Sequence, residues 1–254
     1  MYAEERQQAM AQLVAASGRL SVVELAERYD VTTETVRRDL SALERMGLVR
    51  RVHGGAVPAS SLAVIESALT ERDQASTAEK ERIAQAALEL LPAGGTVLLD
   101  AGSTTSRLAG LLPRELRLTV YTHAVPVAAR LASSGNAELH LLPGRVRATT
   151  QAAVGADAVE SLGRLRADVA FLGTNGLSVA HGLSTPDSDE AATKRAMVRA
   201  ARQVVVLADA SKIGADAPVR FADLADVDVL VTDATIDELD RKEIEGAGVT
   251  VVVA

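Results

Sequence analysis

One stretch of the chain has residue types and spacing suited to bind DNA. It is Thr33-Glu-Thr-Val-Arg-Arg-Asp39, in which hydroxyl groups can bond phosphate or bases, a valine can touch a thymine methyl group, and an arginine can bond guanine through two hydrogen bonds. The residues with these roles are Thr33, Thr35, Val36, Arg37 and Arg38. The alternative is a solvated helix face in a helical subdomain.

The net charge of −7 argues at first against a DNA-binding protein. Residues 1–58 carry eight arginines and eight acidic residues, however, so the excess negative charge lies downstream. Five of these arginines fall between Arg37 and Arg51. Because a local basic face is enough for phosphate contact, the total charge does not exclude DNA binding.

A second group of residues is suited to bind an anion. Asp100-Ala-Gly-Ser-Thr-Thr105 follows a predicted strand and opens a predicted helix, so its amides and hydroxyls can hold a phosphate at the positive helix terminus. Two later strands end at Asn175 and shortly before Lys212, and Lys194 lies in a predicted helix. Taken alone, these residues also fit a common helix start and ordinary surface lysines.

Other kinds of chemistry lack the residues that they need. The chain has no cysteine, which excludes disulfides and thiolate chemistry and fits a reducing cytoplasm. It contains no Gly-Lys pair and no Gly-x-Gly-x-x-Gly, and its four histidines have no ligand spacing. We expect no metal, no cofactor, no signal peptide and no membrane span, and therefore a cytoplasmic protein.

The elements expected to position the first group form a winged helix-turn-helix over residues 1–57. A capping box at Ser21 and Glu24 starts a short helix, and a tight break at Asp30 separates it from a helix that runs from Thr32 to about Met46. Two short helices around such a turn are typical of DNA-binding domains. The following residues, up to Val57, predict a small β-hairpin, the wing.

A larger α/β domain is predicted over residues 76–254, after a linker at 58–75. A second capping box at Ser76 and Glu79 predicts its first helix. Strands alternating with helices indicate a mainly parallel sheet, which binds ligands at the carboxyl ends of its strands. The predicted strands are Thr96–Asp100, Leu118–Thr122, Glu138–Leu142, Asp168–Gly173, Gln203–Ala208, Asp228–Thr232 and Val249–Val253.

The stretch SVVELAERYDVTTETVRRDLSALERMGLVRRVHGGA resembles the DNA-binding region of the DeoR family of bacterial regulators, and the TVRRDL and RVHGGA segments carry most of the match. The resemblance implies DNA contacts at Thr33, Thr35, Val36, Arg37 and Arg38, and it places Arg51 and His53 in the wing. The segments DAGSTT, FLGTNGLS, TKRAM and ADASKIG resemble the family's effector domain, which is similar in fold to ribose-5-phosphate isomerase and glucosamine-6-phosphate deaminase.

For the effector domain, the resemblance implies phosphate binding by Gly102, Ser103, Thr104, Thr105 and Lys212. It implies sugar-hydroxyl or phosphate contacts for Asp100, Asn175 and Lys194. The chain departs from many members at Tyr121-Thr-His123 and at Pro143-Gly144. With aromatic residues at only 2%, the chain has few rings on which a free sugar could stack, which favours a ligand held by charge and hydrogen bonds.

These observations predict a transcriptional repressor of a sugar catabolic or transport operon, with no enzymatic activity. Its expected partners are double-stranded operator DNA, a sugar phosphate and further copies of the chain in a homodimer or larger homo-oligomer. The overall pattern is similar to fructose-operon repressors, which suggests fructose 1-phosphate. Two alternatives stay open: a sugar-phosphate isomerase or deaminase, and a DNA-binding protein whose second domain only oligomerises.

Overall fold

Two helices joined by a tight turn form the centre of the N-terminal unit. The computed structural model describes residues 3–17, 20–52, 54–58 and 68–254, and the chain divides into the units Met1–Val64 and Ile65–Ala254. The helices and strands of the first unit are α1 (Ala3–Ser17), β1 (Leu20–Ser21), α2 (Val22–Tyr29), α3 (Thr33–Arg45), β2 (Val49–Val52) and β3 (Gly55–Pro58).

The caps of α2 and α3 are those that the sequence predicts. The Ser21 amide donates to Glu24 Oε2 at 2.8 Å, and the Glu24 amide donates to Ser21 Oγ at 3.1 Å, so the capping box is complete. Asp30 then takes a left-handed conformation with φ 52°, which turns the chain. Thr32 Oγ1 accepts the Thr35 amide at 3.2 Å and starts α3. The helix-turn-helix is therefore set by local hydrogen bonds.

The predicted hairpin is present, since β2 and β3 pair antiparallel. The sequence did not predict that β1 also pairs with β3, which makes a three-stranded sheet. Gly55 permits this pairing, because a Cβ there would lie 2.1 Å from the carbonyl oxygen of Leu20.

The second unit contains seven helices and twelve strands in its described part. The helices are α4 (Leu69–Gln74), α5 (Thr77–Ala87), α6 (Ser103–Leu111), α7 (Val125–Ser134), α8 (Ala156–Gly163), α9 (Ser188–Ala200) and α10 (Glu238–Gly246). The strands are β4 (Gly95–Leu99), β5 (Leu118–Thr122), β6 (Glu138–Leu141), β7 (Arg145–Arg147), β8 (Ala152–Val154), β9 (Ala167–Leu172), β10 (Gly176–Ser178), β11 (Gly182–Thr185), β12 (Ala201–Leu207), β13 (Val219–Ala222), β14 (Val229–Thr232) and β15 (Thr250–Val253).

A seven-stranded parallel sheet organises this unit, in the order β15-β14-β12-β9-β4-β5-β6. These are the seven strands predicted from the sequence. Buried residues of α5, α6 and α7 pack on one face of the sheet, and those of α8, α9 and α10 pack on the other. The chain adds strands on one side of β4 and then on the other, beginning with β9. The β4–β9 boundary is therefore the topological switch point, where such sheets bind ligands.

Two smaller sheets, neither of them predicted, flank the main one. Strands β7 and β8 form an antiparallel pair, and β10, β11 and β13 form an antiparallel three-stranded sheet. Each of these strands is three or four residues long, too short to give a clear alternation of apolar and polar residues.

The segment before α5 differs from its prediction. Ser76 precedes α5 in a left-handed conformation with φ 50°, and its side chain makes no cap hydrogen bond, so the second predicted capping box is wrong. The reason is α4, which ends only at Gln74 and forces a sharp turn before α5 begins. Of the linker predicted at 58–75, residues 59–67 lie outside the described part. The Leu69 amide of α4 bonds to the Thr149 carbonyl at 3.0 Å, within the second unit.

Within the ranges described above, no helix combines the length and apolar character needed to cross a membrane.

Candidate functional sites

Helix α3 presents a polar face on its exposed side. Thr33, Arg37 and Arg38 are exposed, and Thr35 is half-buried. Arg37 is paired with the exposed Glu34, at 3.3 Å between Nη1 and Oε2, and its side chain remains 56% exposed. Among the residues that the structure describes, the Arg38 guanidinium has no partner. The Arg38 guanidinium is therefore free to meet phosphates or bases, whereas the Thr35 hydroxyl lies 2.9 Å from Thr32 Oγ1.

Val36 does not belong to this face. Its side chain is fully buried in the core of the first unit, together with Leu40 and Leu43. A base contact at Val36 is therefore excluded, which corrects the prediction. Since positions i, i+4 and i+7 of a helix share one face, the spacing of these three residues already indicated a core position for Val36.

Asp39, the acid of the TVRRDL segment, has a structural role that sequence reasoning missed. Its carboxylate is 1% exposed and accepts hydrogen bonds from Arg6 Nε at 2.7 Å and Gln7 Nε2 at 2.9 Å. Both partners lie on α1. The buried ion pair therefore fixes α1 against α3, and it needs a pairing 33 residues apart in the sequence.

The wing residues are placed only in part. Arg51 is exposed, and its Nη1 donates to Ser41 Oγ of α3 at 3.0 Å. Its amide also donates to Glu44 Oε1 at 2.7 Å. These bonds tie the hairpin to the helix of the proposed DNA face. His53 lies outside the described residues.

At the switch point of the main sheet, Asp100 joins four segments. Its Oδ1 lies 2.9 Å from His123 Nε2, after β5, and its Oδ2 accepts the Gly173 amide, after β9, at 2.8 Å. Oδ2 also accepts a hydrogen bond from Lys194 Nζ of α9. Both oxygens of this fully buried carboxylate are thus occupied.

The charges around Asp100 balance within the protein. Burial alone would raise the pKa of Asp100, but Lys194 and His123 outweigh that effect and hold the pKa at about 2. Lys194 is 2% exposed, also bonds the Gly173 carbonyl at 3.1 Å, and lies 5.5 Å from the centre of the Phe221 ring. In this structure neither Asp100 nor Lys194 offers a free polar atom to a ligand. These bonds give both residues a positioning role, and their contacts with an effector stay a prediction.

Two further acids beside α9 belong to the same interior. Glu190 is 2% exposed and is bonded by Arg147. Arg147 Nε also lies 3.3 Å from Asp187 Oδ2, and Asp187 caps α9 by accepting the Glu190 amide at 2.9 Å. No local pattern predicts that Arg147 pairs with acids about forty residues away.

The predicted phosphate loop lies at the start of α6. Gly102 is its N-cap residue and no side chain caps this terminus, so the first amides of the helix have no intrahelical partner. Ser103 and Thr104 are 8% and 7% exposed, yet their hydroxyls have no partner among the described residues. Thr105 is fully buried and its hydroxyl donates to the Gly102 carbonyl at 3.1 Å, so only its amide is available.

Three cations lie close to one another at this end of the sheet. Burial lowers the pKa of the Lys80 ammonium, the carboxylate of Asp209 raises it, and the positive charges of Lys212 and Arg107 lower it further. The Lys212 ammonium has no hydrogen-bonding or ionic partner in the described part of the chain. Arg107 Nη1 donates to the Ser103 carbonyl at 3.0 Å, which places this cation at the α6 terminus.

Sequence reasoning found Lys212 but missed Lys80 and Arg107. Lys80 lies in a predicted helix as one of several charged residues, and its burial to 4% exposed becomes visible only once α4 and α5 are packed. Asn175, predicted to contact the sugar, accepts a hydrogen bond from Thr185 Oγ1 at 3.0 Å through its side-chain oxygen.

Comparison with known proteins gives matches to both units. A family model described as the DeoR-like helix-turn-helix domain matches residues 6–61, and one described as the DeoR C-terminal sensor domain matches residues 75–234. A relative from Haloferax volcanii, named HTH-type transcriptional regulator GlpR, is 40% identical over 99% of this chain and 98% of its own length. The glycerol-3-phosphate regulon repressor of Escherichia coli K12 is 32% identical over 91% of this chain and 90% of its own.

A third relative, named HTH-type transcriptional repressor GlcR, comes from Bacillus subtilis and is 31% identical over 96% of both chains. Among solved structures, ribose 5-phosphate isomerase A of Methanocaldococcus jannaschii matches 53% of each chain at 18% identity with a TM-score of 0.38.

Proposed function

The chain belongs to the DeoR family of DNA-binding transcriptional regulators, and on this premise we propose that it is a repressor whose operator binding is controlled by a phosphorylated sugar or polyol. Members of this family regulate transcription and are not enzymes. A helix-turn-helix domain joined to a sensor domain has operator DNA and a small-molecule effector as its partners.

The observation that carries the choice of effector is the uncapped start of α6. Ser103 and Thr104 are only 8% and 7% exposed, their hydroxyls have no partner among the described residues, and the positive end of the helix dipole points at the same place. A phosphate group would accept hydrogen bonds from these hydroxyls and from the amides of residues 102–105. Lys212, which has no partner among the described residues, would supply a compensating charge.

The names of the relatives support a phosphorylated effector without identifying it. One relative is a repressor of a glycerol-3-phosphate regulon, and others bear the names FruR and GlcR. We propose fructose 1-phosphate and glycerol 3-phosphate as the first compounds to test. A ligand at a hundred times its dissociation constant stabilises the folded protein by about 2.7 kcal/mol, which a thermal-shift screen detects.

The DNA face that we propose consists of Thr33, Thr35, Arg37 and Arg38 on α3 together with Arg51 of the wing. We also propose that the regulator acts as a homodimer or larger homo-oligomer, because one helix-turn-helix reads only a half-site. Sedimentation at micromolar concentration should therefore show at least a dimer. A monomer with and without operator DNA would contradict this.

The experiment that tests the effector site is an operator-binding titration of Lys212→Ala with each sugar phosphate. The variant should bind the operator like the wild type without ligand and should lose the response to sugar phosphate. Lys242→Ala is the matched control, since this lysine lies on α10 and pairs with the exposed Glu238 at 3.4 Å. A Lys212→Ala protein that responds like the wild type, or a wild type that responds equally to the free sugar, would overturn the phosphate site.

A further inference from the structure

Helix α4 is the first described element of the second unit along the chain, after the residues that lead from the DNA-binding unit. It has only six residues, Leu69–Gln74, and no side chain caps its start. A helix this short is not stable by itself. Its conformation therefore depends on the contacts that hold it to the rest of the unit.

One of these contacts is Arg107, a residue of α6. Its Nη1 donates to Asp73 Oδ1 of α4, and its Nη2 donates to the Asp73 carbonyl at 3.0 Å. The same Nη1 donates to the carbonyl of Ser103, the first residue of α6. With its side chain only 14% exposed, Arg107 connects the start of α6 directly to α4.

The second contact is Lys80, a residue of α5. Its ammonium donates to the carbonyl of Arg72 and, at 2.6 Å, to the carbonyl of Ala75. These are carbonyls at the end of α4, which an ammonium satisfies in the manner of a C-terminal cap. Lys80 is 4% exposed, so its hydrogen bonds to the α4 carbonyls replace the hydrogen bonds that it would make to water.

We propose that Lys80 and Arg107 transmit occupancy of the anion site to α4. Both cations hold α4, and Arg107 also bonds the first residue of α6. Lys80 lies near enough to Arg107 and Lys212 for their positive charges to lower its pKa. The inference rests on the proposed function, since it needs an anionic group at Ser103 and Thr104. Lys80, Arg107 and α4 would then take part in the response of the regulator to its effector.

The physical reason is competition for the same donors. Hydrogen bonds from a cation to a phosphate dianion are stronger than those from the same cation to neutral carbonyls. An anion at the start of α6 therefore draws the Lys80 and Arg107 donors toward itself. The bonds to Arg72, Asp73 and Ala75 weaken, and α4 opens more often. The neighbouring positive charges of Lys212 and Arg107, which lower the pKa of Lys80, favour the same change, because an added anion offsets them.

The test is hydrogen exchange of the full-length protein, with fructose 1-phosphate and glycerol 3-phosphate as probes. The amides of Leu69, Arg72 and Ala75 report on α4, because each donates to a backbone carbonyl in the structure. In the wild type, a probe that stabilises the protein in a thermal-shift assay should speed their exchange by about fivefold, the change expected when a partly exposed ion pair is lost.

Asp73→Asn tests the contact between Arg107 and α4 without changing the residues of the anion site. The Asp73 side chain is 55% exposed, and the substitution weakens the hold on α4 while leaving Ser103, Thr104 and Lys212 in place. The unliganded variant should exchange at α4 like the liganded wild type, and its operator affinity should also match that of the liganded wild type. The matched control is Glu160→Gln, which removes the exposed ion pair between Glu160 of α8 and Arg164. It should leave both the α4 exchange and the operator affinity unchanged.

Different results contradict the proposed sugar-phosphate effector and the transmission to α4. If neither probe stabilises the wild type, the proposed sugar-phosphate effector is wrong and this inference falls with it. If a probe stabilises the protein but α4 exchange does not change, the proposed function stands and the inference is overturned. It is also overturned if Asp73→Asn has wild-type exchange and wild-type operator affinity without ligand.

Discussion

Replacing Asp100 by asparagine should strongly destabilise the second unit. The carboxylate is fully buried, and its pKa of about 2 lies below the ordinary value of 3.8. At about 1.4 kcal/mol for each pKa unit, the folded state stabilises the ionised form of Asp100 by about 2 kcal/mol relative to the unfolded chain. Asp100→Asn also removes the carboxylate that bonds the Lys194 ammonium, which is 2% exposed and whose other acidic neighbour, Glu190 Oε1, lies 4.0 Å away. Breaking a buried pair in this way costs about 3–5 kcal/mol.

The assay is urea unfolding followed by far-ultraviolet circular dichroism, because the chain contains no tryptophan. The two units can unfold separately, so the transition of the larger one is the quantity to compare. Glu245→Gln serves as control, because it removes a half-exposed partner of Arg241 at 3.0 Å and should cost less than about 1 kcal/mol. A second variant, Asp100→Asn with Lys194→Met, should recover part of the loss because it also removes the buried ammonium that Asp100 would otherwise bond.

The same charge predicts how stability depends on pH. The pKa of Asp100 is depressed in the folded state, so its stabilisation is complete above the unfolded value near 4 and is lost as the pH falls toward 2. Wild-type stability should therefore fall more steeply over this range than that of Asp100→Asn. The reasoning would be refuted if Asp100→Asn costs less than about 1 kcal/mol at neutral pH, or if the double variant recovers nothing.

Three further substitutions test the other sites. Arg38→Ala should weaken operator binding by about 1–3 kcal/mol in a fluorescence-anisotropy titration without lowering the melting temperature, and unchanged affinity would remove Arg38 from the DNA face. Val36→Ala should cost about 2 kcal/mol of stability because its side chain is fully buried, and a wild-type melting temperature would contradict that position. Gly144→Ala should also destabilise the protein, by about 1–3 kcal/mol, since φ is 140° and the new Cβ would lie 2.7 Å from the Val154 carbonyl oxygen; a neutral result would show that the loop relaxes.

Elements whose signals are local could be predicted from the sequence. Inner strands of the main sheet such as β9 and β14 are runs of mostly apolar residues buried on both faces, and such runs are recognisable without knowledge of their partners. The capping box at Ser21 needs only residues three apart. The box at Ser76 has the same spacing and was wrong, because a neighbouring helix sets the backbone conformation of that serine.

Features that depend on pairing between distant segments could not be predicted. Arg6 meets Asp39 across 33 residues, and the strand β1 of two residues is defined only by its partner β3. Lys80 and Arg107 are ordinary helical cations in the sequence. Their place beside the start of α6 follows from how α4, α5 and α6 pack, which no local pattern encodes.

The pairing of Asp100 with Lys194, across 94 residues, leaves the other residues of the proposed site to balance the charge of a ligand. The resemblance assigned both residues to the effector, yet in the structure they neutralise each other in the interior. What remains near the start of α6 is an excess of positive charge, from Lys80, Arg107 and Lys212, against the carboxylates of Asp73 and Asp209. Because like charges placed together favour an anionic partner, a sugar without its phosphate supplies hydroxyls but no balancing charge. For this reason the phosphate, more than the identity of the sugar, should decide whether a compound binds.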